Sequence, residues 1–154
     1  MINYYPPRGF HFQVQFLNKQ FAVIDSMFQS VSGLSASVEI TEVVEGGENR
    51  FKHKLPQSVR FPNLVLKRGM VPDSTLLRWC NSAIENFEFA PMDLLVILMN
   101  DKMVPLKTWS IKGALPVKCE VSEFNAESSN IVIETIELTY KYFTIPTVDQ
   151  LGAL

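Results

Sequence analysis

The sequence predicts a mostly β protein with one flanking helix. Alternating apolar and polar residues run through 10–16, 35–44 and 131–143, and an almost unbroken apolar stretch occupies 93–99. A single segment, beginning after Pro72, spaces its apolar residues as a helix does. The last alternating segment predicts a strand of about 13 residues, well beyond the usual five or six. A strand that long needs neighbours along its whole length or becomes an aggregation-prone edge. The expected architecture is therefore a β-barrel, or a sheet completed by another subunit.

Each element follows from local pattern. Phe10, Phe12, Val14 and Phe16 alternate with His11, Gln13 and Gln15, the period of a half-buried strand. From Ser35 to Val44, Ala36, Val38 and Ile40 share one face, and Ser35, Ser37, Glu39 and Thr41 the other. Glu45-Gly46-Gly47-Glu48-Asn49 is a strong turn signal, since two glycines release the backbone. Arg50 to Gln57 is polar and interrupted by Pro56, and reads as an exposed loop or loose hairpin. Val59 to Lys67 reads as extended, with Gly69 ending it.

Pro72-Asp73-Ser74 opens the helix, with Asp73 as the expected N-cap. Leu76, Cys80, Ala83, Ile84 and Phe87 form its apolar stripe over about four turns, with Trp79 just off it. Pro91 marks the far side, and Asp93 to Met99 reads as a strand buried on both faces. Asn100-Asp101 turns the chain into a second strand, Leu106 to Ile111. In the final strand Val132, Ile136, Leu138, Tyr140 and Tyr142 share one face; Glu134 breaks it. Ile131, Ile133, Thr135, Glu137, Thr139 and Lys141 take the other face. The 154 residues suit one domain over 1–154, with an N-terminal arm at 1–7 and a C-terminal tail at 146–154.

Composition narrows the function classes. A formal net charge of −2 argues against a nucleic-acid binder, which presents a basic face to phosphates. Lys67-Arg68 is the densest basic spot and reads as solvated strand-end charge. No apolar run reaches the roughly 18 to 20 residues of a membrane-spanning helix. Met1-Ile2-Asn3-Tyr4-Tyr5-Pro6-Pro7 lacks the pattern of a secretory signal, so synthesis and assembly in the cytoplasm are expected. Cys80 and Cys119 are expected to be free, small core residues rather than a disulfide.

Reactive constellations are not legible. His11, His53, Cys80 and Cys119 lack the close spacing of a zinc site. The serines, among them Ser26, Ser30 and Ser32, lie in no nucleophile elbow. Glu134 and Glu137 fall on opposite faces of a strand, poor geometry for joint acid–base work. Gly46-Gly47 lacks the continuation of a phosphate-binding loop. Eleven phenylalanines fit core packing and subunit contact better than a ligand pocket. The expectation is no enzyme, no cofactor and no metal.

Several stretches, in a consistent order over about residues 5 to 143, resemble the tail tube protein family of contractile phages and related injection systems. They are Tyr5-Pro6-Pro7 with Phe10-His11-Phe12, Val31-Ser32-Gly33-Leu34, Glu45-Gly46-Gly47-Glu48-Asn49, and Leu64-Val65-Leu66-Lys67-Arg68-Gly69. Further on come Leu77-Arg78-Trp79, Trp109 with Ala114-Leu115-Pro116-Val117-Lys118, Phe124-Asn125-Ala126, and Ile133-Glu134-Thr135-Ile136-Glu137-Leu138.

The resemblance implies a barrel- or sandwich-like protomer whose sheet is completed in a ring of six copies. Rings would stack into a tube inside a sheath, whose contraction drives the tube through a target envelope. The implied partners are sister copies, stacking rings, a sheath protein, spike and baseplate proteins, and protein cargo in the lumen. Neither nucleic-acid binding nor membrane insertion by the chain itself is implied. The setting would be a phage virion or a released extracellular particle. By the same analogy Glu45, Gly46, Gly47, Glu48, Asn49, Arg50, Phe51 and His53 would reach a neighbouring copy, and Tyr140 and Tyr142 would join the contact. Tyr4-Tyr5-Pro6-Pro7, Trp79-Cys80 and Tyr140-Lys141-Tyr142-Phe143 look closer to a tube initiator than to a shaft protein. Two alternatives stay open: a monomeric barrel carrying a small ligand, and a tube protein of the type VI secretion apparatus.

Overall fold

The computed structural model describes residues 10–17, 27–47, 50–72, 74–123, 125–127 and 131–146. The expected N-cap Asp73, the arm 1–7 and residues 147–154 of the tail lie outside them. The described residues form ten strands and one helix in the order β1 (His11–Phe16), β2 (Met27–Phe28), β3 (Ser30–Ser32), β4 (Ser37–Val43), β5 (His53–Arg60), β6 (Leu64–Gly69), α1 (Thr75–Asn86), β7 (Met92–Met99), β8 (Pro105–Val121), β9 (Ile133–Thr139) and β10 (Tyr142–Thr144). Among the described residues the architecture is mostly β with a single helix, in agreement with the pattern reading.

Eight strands form one antiparallel sheet in the order β2-β1-β7-β8-β9-β6-β3, with β10 also on β8. Met27–Ser32 joins its two ends. Its first half pairs with β1 and its second half with β6, and the Gln29 amide donates to the Lys67 carbonyl at 2.9 Å. The sheet thus curls back on itself as a barrel. β9 has β6 on one side and β8 on the other, so its neighbours come from its own chain. Of the two expected ways to protect a long C-terminal strand, the barrel is the one this protomer provides within itself. That strand ends at Thr139, and β10 resumes at Tyr142 against a different part of β8.

The long strand is instead β8, at 17 residues against the expected 106–111. Its first part pairs with β7 and its second with β9, and it bends at Gly113, whose φ is +66°. The Gly113 amide donates to Asp93 Oδ1 at 2.9 Å, tying the bend to β7. Pattern reading lost the second half because the bend resets the alternation and Pro116 interrupts it.

The barrel interior is filled with side chains. Val14, Leu64, Leu66, Leu94, Val96, Ile111, Ile136 and Leu138 are completely buried. β7 is covered on both faces over Leu94-Leu95-Val96, as its unbroken apolar run required. α1 packs against β8 and contributes Leu76, Trp79, Cys80 and Ala83 to the core. Its N-cap is Ser74, whose Oγ accepts from the Leu77 amide at 3.0 Å. Trp79 belongs to the packed stripe, while Ile84 and Phe87 are exposed. The helix ends at Asn86, with Phe87 in the left-handed region at φ +54°, so the stripe stops a turn early.

Two further boundaries differ from expectation. Residues 53–60 form a strand paired with β4, which is the hairpin alternative for 50–57 carried on to Arg60, and Phe61-Pro62-Asn63 separates β5 from β6 where one extended run was expected. Gly33 explains that junction. At φ +92° it passes so close to Asn63 that a Cβ would lie 2.0 Å from the Asn63 carbonyl oxygen, and only glycine fits.

Candidate functional site

The strands β4 and β5 stand apart from the barrel as a two-stranded ribbon of their own. Val38 pairs with Val59, Ile40 with Pro56, Thr41 with Leu55 and Val43 with His53. The register shifts between Glu39 and Ile40, leaving Gln57 as the extra residue beside Pro56, which has no amide to donate. An isolated two-stranded hairpin is marginal in water. This one is held partly by polar contacts: Glu39 accepts from Ser58 Oγ at 3.0 Å and pairs with Arg60, and Lys52 pairs with Glu42 at 3.4 Å. Exposed pairs of this kind contribute at most about 1 kcal/mol each.

Its apolar side chains are unburied. Val38, Ile40, Val43, Val44, Phe51, Leu55 and Val59 are all between 41% and 66% exposed. The barrel keeps comparable residues at 0%. Burying a half-exposed Val, Ile, Leu or Phe gains about 1 kcal/mol, so covering this ribbon gains several. The register puts Val38, Ile40 and Val59 on one face of the ribbon and Val43 and Leu55 on the other, so both faces expose apolar side chains, as an interaction site does.

The residues expected from the family analogy are distributed unevenly. Glu45, Gly46 and Gly47 form the exposed tip of the ribbon, with Gly47 at φ +97°. Arg50 and Phe51 lead back into β5, and His53 begins it. His53 Nε2 lies 3.3 Å from the Glu45 carboxylate, and its ring stands edge-on to Phe51 at 5.3 Å. Glu48 and Asn49 lie outside the described residues. Tyr142, 45% exposed, pairs with Lys112 on the barrel. Tyr140 sits in an aromatic cluster with Phe61 and Phe143, and its hydroxyl donates to the Gly33 carbonyl at 3.3 Å. Burial pushes its pKa up.

Two groupings escaped the sequence reading. Arg68 was taken as solvated charge, yet it is only 3% exposed. Its Nε donates to Glu134 Oε2 at 2.9 Å, its Nη2 reaches Ser74 Oγ at 3.2 Å, and its guanidinium lies 5.0 Å from the Phe28 ring centre. Glu134, 2% exposed, stands directly across from it on β9. The misplaced acid on an apolar face was the available signal, because a buried carboxylate needs a partner. The second grouping is Cys80, buried on α1, and Cys119, half-buried on β8, both free; their mutual influence pushes the Cys80 thiol up and the Cys119 thiol down, although they are far apart in sequence. Among the described residues no three His, Cys, Asp or Glu side chains gather into a metal-holding group. No helix among them is long and apolar enough to cross a membrane.

The family model described as the T4-like virus tail tube protein gp19 matches residues 8–144. Among solved structures, a chain of the anti-feeding prophage baseplate, 6-fold symmetrised, is 28% identical with a TM-score of 0.79, covering 96% of this chain and 99% of that one. A chain of the sheath-tube complex of the PVC extracellular contractile injection system, in the extended state, is 28% identical with a TM-score of 0.74, covering 96% and 95%. Hcp1 from Flavobacterium johnsoniae, 16% identical at a TM-score of 0.51 over 88% and 94%, shares the fold alone. No curated protein sequence matches. With most of its length matched by that model and a fold shared with those chains, the protein belongs to the T4-like virus tail tube protein gp19 family.

Proposed function

We propose that this chain is a structural subunit of the inner tube of a contractile injection machine. Six copies form a ring, rings stack into a tube, and a contracting sheath propels it. The observation that carries the reading is the β4–β5 ribbon, an apolar surface projecting from a barrel whose own strands are already paired. A second copy is its natural occupant, because a ring closed by rotation joins different patches of identical chains head to tail. Family membership and the 6-fold symmetry of the related baseplate assembly support the number six.

Side chains filling the barrel interior speak against a small-ligand carrier, which needs an internal cavity. The likeness to type VI tube proteins is confined to the fold. Of the two places in a tube, the initiator ring beside the baseplate is favoured by the aromatic Tyr140–Phe143 region and by the likeness to a baseplate chain. The copy number per particle distinguishes them: one or two rings for an initiator, many for a shaft. A protein cargo in the lumen, and assembly in the cytoplasm before release of the particle, belong to the same reading.

The test is deletion of Gly46 to His53, which removes the tip and the start of β5. The variant is expected to keep a cooperatively melting barrel and to lose ring and tube formation in electron micrographs. Normal tubes from the shortened chain would refute the assignment.

A further inference from the structure

The end of α1 is built against the stability of the isolated protomer. Residues 84–91 are all exposed. Phe87, 81% exposed, takes the left-handed φ of +54° that glycine adopts without steric cost. The last turn of the helix holds Glu85 and no basic residue, and Glu88 follows it, although a helix C-terminus favours cations. Ile84 and Phe89 are exposed as well. All three choices are unfavourable in the protomer alone, as is common where a chain serves a partner. The segment is nevertheless fixed. Phe87 and Phe89 meet edge to face with ring centres 4.9 Å apart, and the Trp79 indole donates to the Ala90 carbonyl at 3.1 Å. Glu88 and Phe89 also line an open cleft of about 340 Å³ with Trp79, Ser82 and, nearer the helix start, Arg78. The result is a preformed ledge, two aromatic rings beside a recess, edged by two carboxylates.

We propose that this ledge receives the ribbon of a second copy, through the ribbon face that carries Val38, Ile40 and Val59. The inference rests on the ring assembly proposed above and adds the surface on which the ribbon docks. Charge selects both sides of the contact. Beyond Ile40 that ribbon face continues with Glu42 opposite Lys54, and Lys52 Nζ lies 3.4 Å from the same Glu42. One carboxylate thus serves two ammonium groups, which leaves a positive excess beside the apolar residues. The opposite face, with Glu39 paired to Arg60 and His53 beside Glu45, carries no such excess. Two other exposed apolar groups fit a basic face less well. Met103, Val104 and Leu106 stand near Lys102 and Lys107, with Asp101 alone against them. Val121 adjoins Glu120, which Lys118 already holds at 3.1 Å. The end of α1 instead joins aromatic area to negative charge. Burial of the rings and of the ribbon's aliphatic side chains supplies the attraction, and the opposite charges fix the orientation. Two different patches of one chain then meet head to tail, as closure of a ring requires.

The test reverses charge on each side in the purified full chain and reads ring and tube formation by light scattering and electron microscopy. Glu85→Lys with Glu88→Lys sets lysines against lysines; Lys52→Glu with Lys54→Glu sets acids against acids. Each pair is expected to raise the concentration needed for half-assembly at least about tenfold at low salt, and less at about 1 M salt, where charges are screened. All four substitutions in one chain, or a mixture of the two reversed chains, are expected to restore assembly, because every contact again joins opposite charges. Phe87→Gly is expected to weaken assembly while the protomer's melting temperature holds or rises, since glycine relieves the left-handed backbone. The melting temperature of every variant separates loss of docking from loss of fold. Reversed chains that assemble like the native one, or a four-fold variant no better than its parents, would overturn the proposal. If the Gly46 to His53 deletion still abolishes tubes in that case, the ribbon docks elsewhere and the ring reading stands. If deletion and reversals alike leave tubes intact, or the native chain stays monomeric at every concentration, both fall.

Discussion

Replacing Glu134 by Gln removes a buried charge while keeping size and shape. Arg68 and Glu134 are 3% and 2% exposed and face each other across β6 and β9. In water each charge is solvated; in the barrel each depends on the other. Removing one partner of a buried ion pair strands the second and costs about 3–5 kcal/mol, several times the 0–1 kcal/mol of an exposed pair such as Lys118–Glu120. Arg68 keeps Ser74 and Phe28, so the loss should fall near the lower bound, about 3 kcal/mol. With a urea dependence of about 1–3 kcal/mol per molar, the unfolding midpoint drops by on the order of 2 M. Arg68→Met is expected to lose a similar amount. The double variant Arg68→Met with Glu134→Leu is expected to lose at least about 2 kcal/mol less than the sum, because no uncompensated charge remains. Urea unfolding followed by tryptophan fluorescence measures all four corners. Additive losses, or a Glu134→Gln loss below about 1 kcal/mol, would refute the reasoning.

Three further outcomes follow from single contacts. Gly33→Ala is expected to cost at least about 2 kcal/mol in urea unfolding, since a Cβ 2.0 Å from the Asn63 carbonyl must displace backbone and φ is +92°. Ser74→Ala removes both the helix cap and a hydrogen-bond partner of Arg68, and should cost about 1–2 kcal/mol by the same assay. Tyr140→Phe loses the bond to the Gly33 carbonyl, about 0.5–1.5 kcal/mol at neutral pH. Burial raises the folded-state pKa of Tyr140 above its ordinary 10.0, so the native state holds that proton more tightly than the unfolded state. Its contribution is present below about pH 10 and is lost as pH rises through the raised value. Comparing the pH dependence of unfolding for the native chain and Tyr140→Phe isolates it.

Much of the barrel was legible because one buried face imposes a period of two. Val14 and Phe16, and Ile136 and Leu138, occupy the interior that their alternation announced. The helix was equally legible from Leu76, Cys80 and Ala83, although its register took in Trp79 and released Ile84. What escaped was set by tertiary contact. β8 doubles its length by bending at Gly113, and its second half pairs with a strand that follows later in sequence. Closure of the barrel depends on two short pieces, Met27–Phe28 and Ser30–Ser32, too brief to show any period. The ribbon misled for the opposite reason. Val38 and Ile40 alternate like core residues, but their alternation records a surface that this protomer leaves uncovered. Arg68 looked solvated because its partner lies on another strand, far away in sequence.

The account turns on where the β4–β5 ribbon goes when the chain assembles. Cryo-electron microscopy of the assembled particle, at a resolution that traces side chains, measures this directly. The account expects a six-fold ring in which Val38, Ile40, Phe51, Leu55 and Val59 of each ribbon are buried against a neighbouring copy. A ring in which those side chains remain in solvent, held together by other surfaces, would contradict it.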